Sequence, residues 1–290
     1  MKVLVIGATG MLGYSIFSNL SELPAFDVYG TVRTIDRLER FFPSSNKLVF
    51  NVDVKDFTTL EIAILSIKPD VVINCIGLIK QHDGSKKHVD AIEINALLPH
   101  KIAEFCDVIG ARLVHFSTDC IFDGEIGNYL ESDLPTATDL YGKSKCLGEV
   151  DYGKHITIRT SIIGHELKSS VSLIDWFLTQ ESTVKGFSKA IFSGLPTVYI
   201  AQVLAEFVLP NASLSGLYHL SAEPIDKYSL LSKVADVYDK KIKIENCEDF
   251  MIDRSLSSNK FRGETGFLPL SWDDLVTFMY ADYLKRYINE

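Results

Sequence analysis

The first half of the chain alternates short apolar runs with segments of helical periodicity. Short runs rich in apolar and β-branched residues lie at residues 2–6, 26–32, 47–52, 69–77 and 112–118, and the first of them is continuously apolar after Lys2. Such runs are typical of strands that are buried on both faces of a parallel sheet. The segments between them repeat their apolar residues with the period of a helix. This strand–helix alternation predicts an α/β fold of the Rossmann type, with a doubly wound parallel sheet.

The second half follows a less regular pattern. Helices are expected at residues 172–178, 196–209, 226–240 and 275–287, strands at 217–221 and 240–244, and a loop with a short strand at 186–194. We therefore predict an NADP-binding Rossmann domain at residues 1–165 and a mainly substrate-binding region at residues 166–290. A segment at about residues 190–222 is expected to return to the Rossmann domain. The aromatic C-terminal helix is a candidate contact for a homodimer, and packing on its own chain is the alternative.

A glycine-rich loop follows the first predicted strand and opens the first helix. Gly7, Gly10 and Gly13 form G-x-x-G-x-x-G, a variant of the dinucleotide-binding fingerprint. The first glycine permits a tight turn, the second a close approach of the backbone to a pyrophosphate, and the third close packing of the helix on the sheet. The residues between them that we expect to contact the cofactor are Thr9, Met11 and Leu12.

The end of the second predicted strand indicates which cofactor binds. NAD-binding chains place an acidic residue about 20 positions beyond the glycines, where it binds the ribose 2′-hydroxyl. Arg33 occupies that position here (33 − 13 = 20), and residues 28–34 include no acid. An arginine suits a 2′-phosphate, so NADPH/NADP+ is the predicted cofactor.

Further cofactor contacts are expected where the next strands end. Asp53 and Val54 follow the third strand, where Asp53 is a candidate for the adenine edge or an ordinary strand-end carboxylate. The small-residue exit of the fourth strand, in which a flat ring can lie on the backbone, comprises Cys75, Ile76 and Gly77. The helix at residues 91–103 carries Asn95, and Pro99 is expected to bend it.

The candidate catalytic residues come from the fifth strand and the helix after it. Tyr141 and Lys145 are four residues apart, so on a helix they lie one above the other. An ammonium beside a phenol favours its ionised form and lowers its pKa from about 10. Ser117 and Thr118 end the fifth strand, at the edge of the sheet where ligands bind in such folds. A hydroxyl, a tyrosine and a lysine are thus predicted to converge beside the nicotinamide.

Composition and charge exclude several other functions. The net charge of −9 argues against nucleic-acid binding, which needs a basic surface. Five cysteines without a Cys-x-x-Cys pair indicate reduced thiols in a cytoplasmic protein. No apolar run is long enough for a membrane span, and no cluster of side chains has the spacing of metal ligands.

These motifs together resemble the extended short-chain dehydrogenase/reductase family, and within it the dTDP-4-dehydrorhamnose reductase group. The segments that carry the resemblance are residues 7–13, 117–124, 131–135, 141–145, 148–149 and 159–161. The resemblance implies NADPH-dependent reduction of the 4-keto group of a nucleotide-activated 6-deoxy sugar, for polysaccharide or glycoconjugate precursors. It implies that Tyr141 protonates the carbonyl oxygen, Thr118 orients it, Lys145 holds the ribose hydroxyls, and Thr160 and Ser161 cover the nicotinamide.

Substrate contacts are less sharply defined by the sequence. Lys80, Asp119, Cys120 and Arg254 are the candidates, and Arg254 lies in a segment that resembles the family's Arg-Pro-x-x-Ser element, with serine in place of proline. Arg254, Lys80 or Arg262 would pair with a diphosphate, and a surface salt bridge is the alternative for each.

Two other functions remain open at this point. Residues 120–122 look like the Cys-Ile-Tyr of GDP-fucose synthase, which makes a sugar-nucleotide epimerase or epimerase/reductase that uses Cys120 one alternative. The histidine that would be its second acid/base is absent near residues 170–174, and His165 is the nearest candidate. The other alternative is a non-catalytic NADP-binding regulatory subunit, like that of methionine adenosyltransferase.

Overall fold

The computed structural model describes residues 1–43, 45–78 and 87–288. Its main sheet has seven strands in the order β11-β6-β5-β4-β1-β2-β3. The strands of this sheet are β1 (Lys2–Ile6), β2 (Asp27–Thr31), β3 (Leu48–Val49), β4 (Val71–Asn74), β5 (Arg112–Thr118), β6 (Ile156–Thr160) and β11 (Gly216–His219). Strand β1 pairs in parallel with β2 on one side and with β4 on the other. The doubly wound parallel sheet predicted from the sequence is therefore confirmed.

Helices connect and flank the strands of this sheet and of three smaller sheets. The helices are α1 (Met11–Ser21), α2 (Phe57–Ile67), α3 (His88–Ala91), α4 (Leu98–Ile109), α5 (Leu140–Leu147), α6 (Leu173–Thr179), α7 (Thr197–Val203), α8 (Lys227–Val237), α9 (Asn259–Thr265) and α10 (Trp272–Arg286). The strands of the smaller sheets are β7 (Ile162–Ile163), β8 (Val184–Phe187), β9 (Ala190–Phe192), β10 (Leu195–Pro196), β12 (Ile225–Asp226), β13 (Ile244–Cys247) and β14 (Ile252–Asp253).

The described residues group into two compact units. The first comprises residues 1–117, 138–158 and 201–217, and the second comprises residues 118–137, 159–200 and 218–290. In the first unit, fully buried apolar side chains such as Leu4, Leu60 and Ile102 pack between the sheet and its helices. The boundary that we place at residue 165, and the roles of the two domains, stay predictions.

Two details of the predicted elements are wrong, each because of backbone geometry or pairing. The third strand stops at Val49, and Asn51 has a left-handed φ of 60°, which a strand does not accommodate. The loop with a short strand expected at residues 186–194 contains β9, and the end of β8 also falls within it. The strand expected at residues 240–244 begins only at Ile244, because its partner β8 pairs with residues 244–247.

The bend expected at Pro99 takes the form of a π-helical segment. Ile92–Leu97 is wound as a π-helix between α3 and α4, so the helical course runs on through Pro99. Proline cannot donate an N–H and its ring clashes with the carbonyl four residues earlier in an α-helix, here that of Asn95. A Cβ at Gly148 would lie 1.9 Å from the Asn95 carbonyl oxygen, so only glycine allows the approach seen there. Proline and glycine together fix Asn95 against the residue that ends α5.

Candidate functional site

The glycine loop is shaped by contacts that exclude side chains. Gly7 follows β1 with a φ of +85°, and its carbonyl accepts a hydrogen bond from the Gly10 N–H at 3.1 Å. A Cβ at Gly13 would lie 2.1 Å from the Gly7 carbonyl oxygen, whereas one at Gly10 would meet that oxygen only at 3.5 Å. Gly10 is also exposed at the beginning of α1, next to the partly exposed Met11. The loop therefore has room over Gly10 and none at Gly13, which fits a pyrophosphate lying on the helix N-terminus.

The other loop residues divide between the surface and the core. Thr9 is partly exposed, whereas Leu12 is buried and packs inside the first unit. The loop is tied to β2, because Thr31 accepts from the Gly7 N–H through its hydroxyl and from the Ala8 N–H through its carbonyl. Sequence reasoning did not assign this role to Thr31.

Arg33 lies exposed just beyond β2. Within residues 1–43, 45–78 and 87–288 its guanidinium makes no hydrogen bond and no ion pair. Its backbone carbonyl accepts from the Asn51 N–H at 3.2 Å, which holds the main chain while the side chain extends into solvent. This guanidinium is the kind of group that a 2′-phosphate requires.

Asp53 and Val54 serve local structure. The Asp53 carboxylate accepts from the Lys55 N–H at 3.1 Å, and the Asp53 N–H donates to the Thr59 hydroxyl at 3.0 Å. Val54 packs against the apolar core of the first unit. The contacts thus support the strand-end interpretation of Asp53 and leave its contact with adenine a prediction.

The exit of β4 is joined to α5 through Asn95. Asn95 accepts from the Leu78 N–H at 2.8 Å and donates to the Leu78 carbonyl and to the Ser144 hydroxyl, both at 3.1 Å. Ser144 in turn donates to the Tyr141 carbonyl at 3.0 Å. A Cβ at Gly77 would lie 3.6 Å from the Asn95 amide oxygen and 3.8 Å from the Lys145 ammonium nitrogen.

Cys75 and Ile76 complete this strand exit. The Cys75 N–H continues the ladder to the Ile6 carbonyl at 3.1 Å, and Ile76 lies against Gly7. Burial raises the pKa of the Cys75 thiol far above its usual value. Cys75 is therefore a small, uncharged residue at the exit of β4.

Helix α5 places Tyr141 and Lys145 four residues apart, as predicted. Asp139 caps the helix by accepting from the Gly142 N–H at 2.8 Å. Lys145 is buried and donates to the Phe116 carbonyl at 2.6 Å, whereas Tyr141 is partly exposed. Burial lowers the pKa of Lys145 to about 8, although the nearby Glu149 favours its charged form. The lysine is thus a buried cation fixed beneath the end of β5.

Ser117 belongs to this network by a contact that the sequence did not reveal. Its hydroxyl donates to the Glu149 carboxylate at 2.6 Å, so it holds the acid that faces Lys145. The contact with the cofactor predicted for Ser117 stays a prediction. Glu149 lies two residues beyond α5, and its place in the motif was the one signal for it.

In the second unit, Thr118 caps the turn that follows β5. Its hydroxyl accepts from the Cys120 N–H and donates to the Asp119 carboxylate, each at 3.2 Å. Thr118 lies directly after Ser117, but the two residues fall in different units. The convergence of Thr118 with Tyr141 and Lys145 is therefore a prediction.

Two further predicted residues line a tight corner of the second unit. Thr160 is buried and donates to the Ser161 carbonyl at 3.1 Å. That carbonyl accepts from the Leu195 N–H at 2.9 Å, and a Cβ at Gly194 would lie 2.3 Å from it. Glycine at residue 194 therefore allows β10 to approach this corner.

Arg254 lies beside Cys120. It donates through Nε to the Phe122 carbonyl at 2.8 Å and through Nη1 to the Cys120 sulfur at 3.8 Å. Gly124 has φ +88°, and a Cβ there would lie 3.0 Å from the Arg254 side chain. Lys80, another candidate for a diphosphate, lies outside the described residues.

His165 is held by contacts that occupy its ring. One nitrogen contacts the Asp175 carboxylate at 2.5 Å and the other the Tyr238 hydroxyl at 2.9 Å. The ring also packs against Tyr283, with the ring centres 4.3 Å apart. Because both nitrogens are engaged, this histidine is a poor candidate for the second acid/base of an epimerase.

Residues 1–43, 45–78 and 87–288 include no helix that is long and apolar enough to cross a membrane. Over the same ranges, no group of His, Cys, Asp and Glu side chains is arranged to hold a metal ion.

Comparison with known families decides the assignment of the chain. The sequence profile of the RmlD substrate binding domain matches residues 1–265. The chain belongs to this family. The resemblance to the dTDP-4-dehydrorhamnose reductase group of the extended short-chain dehydrogenases/reductases is thereby confirmed.

The relatives of this family member include proteins named as a subunit of methionine adenosyltransferase and proteins named as dTDP-4-dehydrorhamnose reductases. Methionine adenosyltransferase 2 subunit beta of Danio rerio is 28% identical over 252 residues, which cover 82% of this chain and 74% of that protein. dTDP-4-dehydrorhamnose reductase of Escherichia coli (strain K12) is 27% identical over 238 residues, which cover 77% and 73%. The crystal structure of dTDP-4-dehydrorhamnose reductase from Bacillus anthracis str. Ames, in complex with NADP, matches with a TM-score of 0.79 and 21% identity, covering 97% of this chain and 99% of that one. At that identity the likeness shows the fold alone.

Proposed function

We propose that this family member reduces the 4-keto group of a nucleotide-activated 6-deoxy sugar with NADPH. The observation that carries the proposal is the buried Lys145, fixed to the end of β5 and four residues beyond Tyr141 on α5. Burying an ammonium costs free energy that hydrogen bonds and nearby charges must offset, and perturbed, buried titratable groups concentrate at functional sites. The reductase named among the relatives supports the substrate class.

The proposed cofactor site consists of the glycine loop, Arg33 and the exit of β4. The space over Gly10 suits the pyrophosphate, and the exposed Arg33, which has no side-chain partner among the described residues, suits the 2′-phosphate. When bound, NADPH supplies the hydride. A relative of the same fold was crystallised with NADP, which supports this choice of cofactor.

The proposed chemistry assigns one task to each catalytic residue. Hydride addition to a ketone builds negative charge on the carbonyl oxygen, and donors at that oxygen stabilise the charge as it develops. Tyr141 donates a proton to the oxygen, and Thr118 orients it. Lys145 holds the ribose hydroxyls and, by its charge, lowers the pKa of the phenol.

A screen of keto sugars tests this function directly. Oxidation of NADPH is followed at 340 nm with dTDP-, UDP- and GDP-linked 4-keto-6-deoxy sugars, and NADPH binding is measured separately by fluorescence. We expect turnover with at least one of these substrates. NADPH binding without turnover across the panel would contradict the reductase and favour a regulatory subunit, the second candidate, which the methionine adenosyltransferase relatives support.

Replacement of Arg33 tests the choice of cofactor. We expect Arg33→Ala to weaken NADPH binding about 10–100-fold and NADH binding much less, because a charge-assisted contact with a phosphate contributes about 1.5–3 kcal/mol. Fluorescence titration with both cofactors measures the ratio. Lys154→Ala is the control, since this exposed lysine of the same unit pairs with Asp107 and is not assigned to the cofactor. An equal loss for both cofactors in Arg33→Ala would refute the role of Arg33.

The lowered pKa of Lys145 predicts a fall in activity at mildly alkaline pH. A group with a pKa of about 8 is protonated below that pH and loses its charge above it, whereas an ordinary lysine keeps its charge to about pH 10.4. We therefore expect kcat/KM for the reduction to fall above about pH 8, which pH–rate profiles measure. Any residual activity of Lys145→Arg should not fall at this pH, because guanidinium stays charged. A flat wild-type profile to pH 10 would disprove the assignment.

A further inference from the structure

Lys145 is a cation of the first unit that is largely shielded from solvent and bonded to a neutral partner. It is 5% exposed, and its ammonium donates to the Phe116 carbonyl at 2.6 Å. A Cβ at Gly77 would lie 3.8 Å from the ammonium nitrogen, so the exit of β4 also borders it. A carbonyl dipole offsets only part of the hydration free energy that a buried ammonium loses. The charge of Lys145 therefore needs a further source of stabilisation nearby.

The Glu149 carboxylate is fixed next to this ammonium by contacts on the same strand. Glu149 follows Lys145 by four residues where α5 ends, and the Gly148 N–H closes the turn by donating to the Lys145 carbonyl at 3.2 Å. The Ser117 hydroxyl donates to the Glu149 carboxylate at 2.6 Å, and Ser117 directly follows Phe116 on β5. The acid and the lysine, one turn apart, are thus anchored on adjacent residues of one strand.

The other titratable groups beside Lys145 carry no charge. His115 on β5 contacts the Asn74 amide nitrogen through Nδ1 at 3.2 Å, and the Asn74 oxygen accepts from the Ile76 N–H at 3.1 Å. Because a backbone N–H can only donate, the amide oxygen faces it and the amide nitrogen faces His115, so Nδ1 accepts and the imidazole is neutral. Burial and the Lys145 charge also lower the pKa of His115, and burial raises the pKa of the Cys75 thiol.

Within the described residues, Glu149 is therefore the negative charge that acts on Lys145. We propose that Glu149, held by Ser117, is a positioning residue that keeps the buried Lys145 charged for the reaction. The inference rests on the proposed function in one respect, the task of Lys145 as the cation that favours the ionised Tyr141 and holds the ribose. Without the carboxylate, the lysine loses its proton at a lower pH, and the site loses its cation.

An NMR titration of Lys145 tests the proposal without turnover. The full chain is labelled with 13C at the lysine Cε atoms, and the Lys145 signal is identified by its loss in Lys145→Arg. A group with a pKa of about 8 is resolved from ordinary lysines, which titrate at about pH 10.4. We expect Glu149→Gln to lower the midpoint by about 1 pH unit or more, because glutamine keeps the oxygen that accepts from Ser117 and removes the negative charge.

The pH dependence of the reduction provides the functional readout. Lys145 is charged below its midpoint, so a lower midpoint moves the alkaline fall of kcat/KM to lower pH. We expect Glu149→Gln to lose about tenfold at about pH 9 and less than about twofold at about pH 6, relative to the wild type. A residue that only supported the fold would lower the rate by the same factor at both pH values.

Two further variants make the result interpretable. Glu104→Gln removes the same charge from an exposed position of α4 in the same unit, and it should leave the Lys145 midpoint and the rate profile unchanged. Ser117→Ala keeps the Glu149 charge and releases the carboxylate, so it should lower the midpoint by a smaller amount. Ser117→Ala also serves as the test if Glu149→Gln fails to fold.

The contrary outcomes are distinct. An unchanged Lys145 midpoint in Glu149→Gln would overturn the inference, and an equal shift in Glu104→Gln would reduce the effect to the net charge of the protein. An unchanged midpoint in Ser117→Ala would contradict the part assigned to Ser117. A shifted midpoint in a protein that turns over no keto sugar would support the action of Glu149 on Lys145 and contradict the proposed reductase.

Discussion

Tyr141→Phe is expected to lower kcat for keto-sugar reduction about 10²–10⁴-fold while NADPH binding stays within about twofold. The replacement removes the hydroxyl that donates the proton and keeps the ring, and a positioned proton donor contributes a rate factor of this size. Tyr141 lies on α5 four residues before the buried Lys145, and this position is the structural reason to expect an effect on kcat and not on NADPH binding. Steady-state kinetics with the substrate that the screen identifies, together with NADPH titration, measure both quantities.

A second tyrosine provides the matched control. Tyr152 is exposed and contacts the His100 ring through its hydroxyl at 2.8 Å, and it has no assigned role in the reaction. Tyr152→Phe should therefore leave kcat unchanged. Near-wild-type turnover in Tyr141→Phe would remove the basis of the proposed mechanism, whereas equal losses in the two variants would indicate general damage to the fold.

Gly13→Ala is expected to destabilise the protein severely, and Gly10→Ala to leave its stability nearly unchanged. The new methyl group at Gly13 would lie 2.1 Å from the Gly7 carbonyl oxygen, a backbone atom that cannot rotate away. Forcing atoms into a packed site costs about 1–3 kcal/mol or more. At Gly10 the nearest atom is the same oxygen at 3.5 Å, an ordinary contact. Urea unfolding of the two variants measures the difference.

The same pair of variants separates packing from cofactor binding. Gly10→Ala places a methyl group where the proposed pyrophosphate approaches the backbone, so we expect its NADPH dissociation constant to rise at least tenfold in a folded protein. An unchanged dissociation constant would contradict the location of the pyrophosphate. A Gly13→Ala protein as stable as the wild type would show that α1 can shift away from the loop.

Particular residues show which structural features can be predicted from neighbouring residues in the chain and which cannot. Gly7 does make the turn out of β1, with a positive φ, and α5 does set Tyr141 and Lys145 one turn apart. Some strand limits depend on partners remote in sequence. The strand at residues 244–247, for example, takes its register from residues 184–187. Pro99 correctly indicated a disturbance, but the π-helix that absorbs it involves packing against Gly148.

The sequence by itself determined the parallel sheet, the glycine loop, the arginine beyond the second strand and the tyrosine–lysine spacing. Each of these follows from periodicity or from residues close together in the chain, where backbone geometry fixes the arrangement. The tertiary structure alone decided that Lys145 is buried against the Phe116 carbonyl and that Glu149 is held by Ser117. Burial and the identity of a partner depend on residues distant in the chain, and these two properties set the charge and pKa of a side chain.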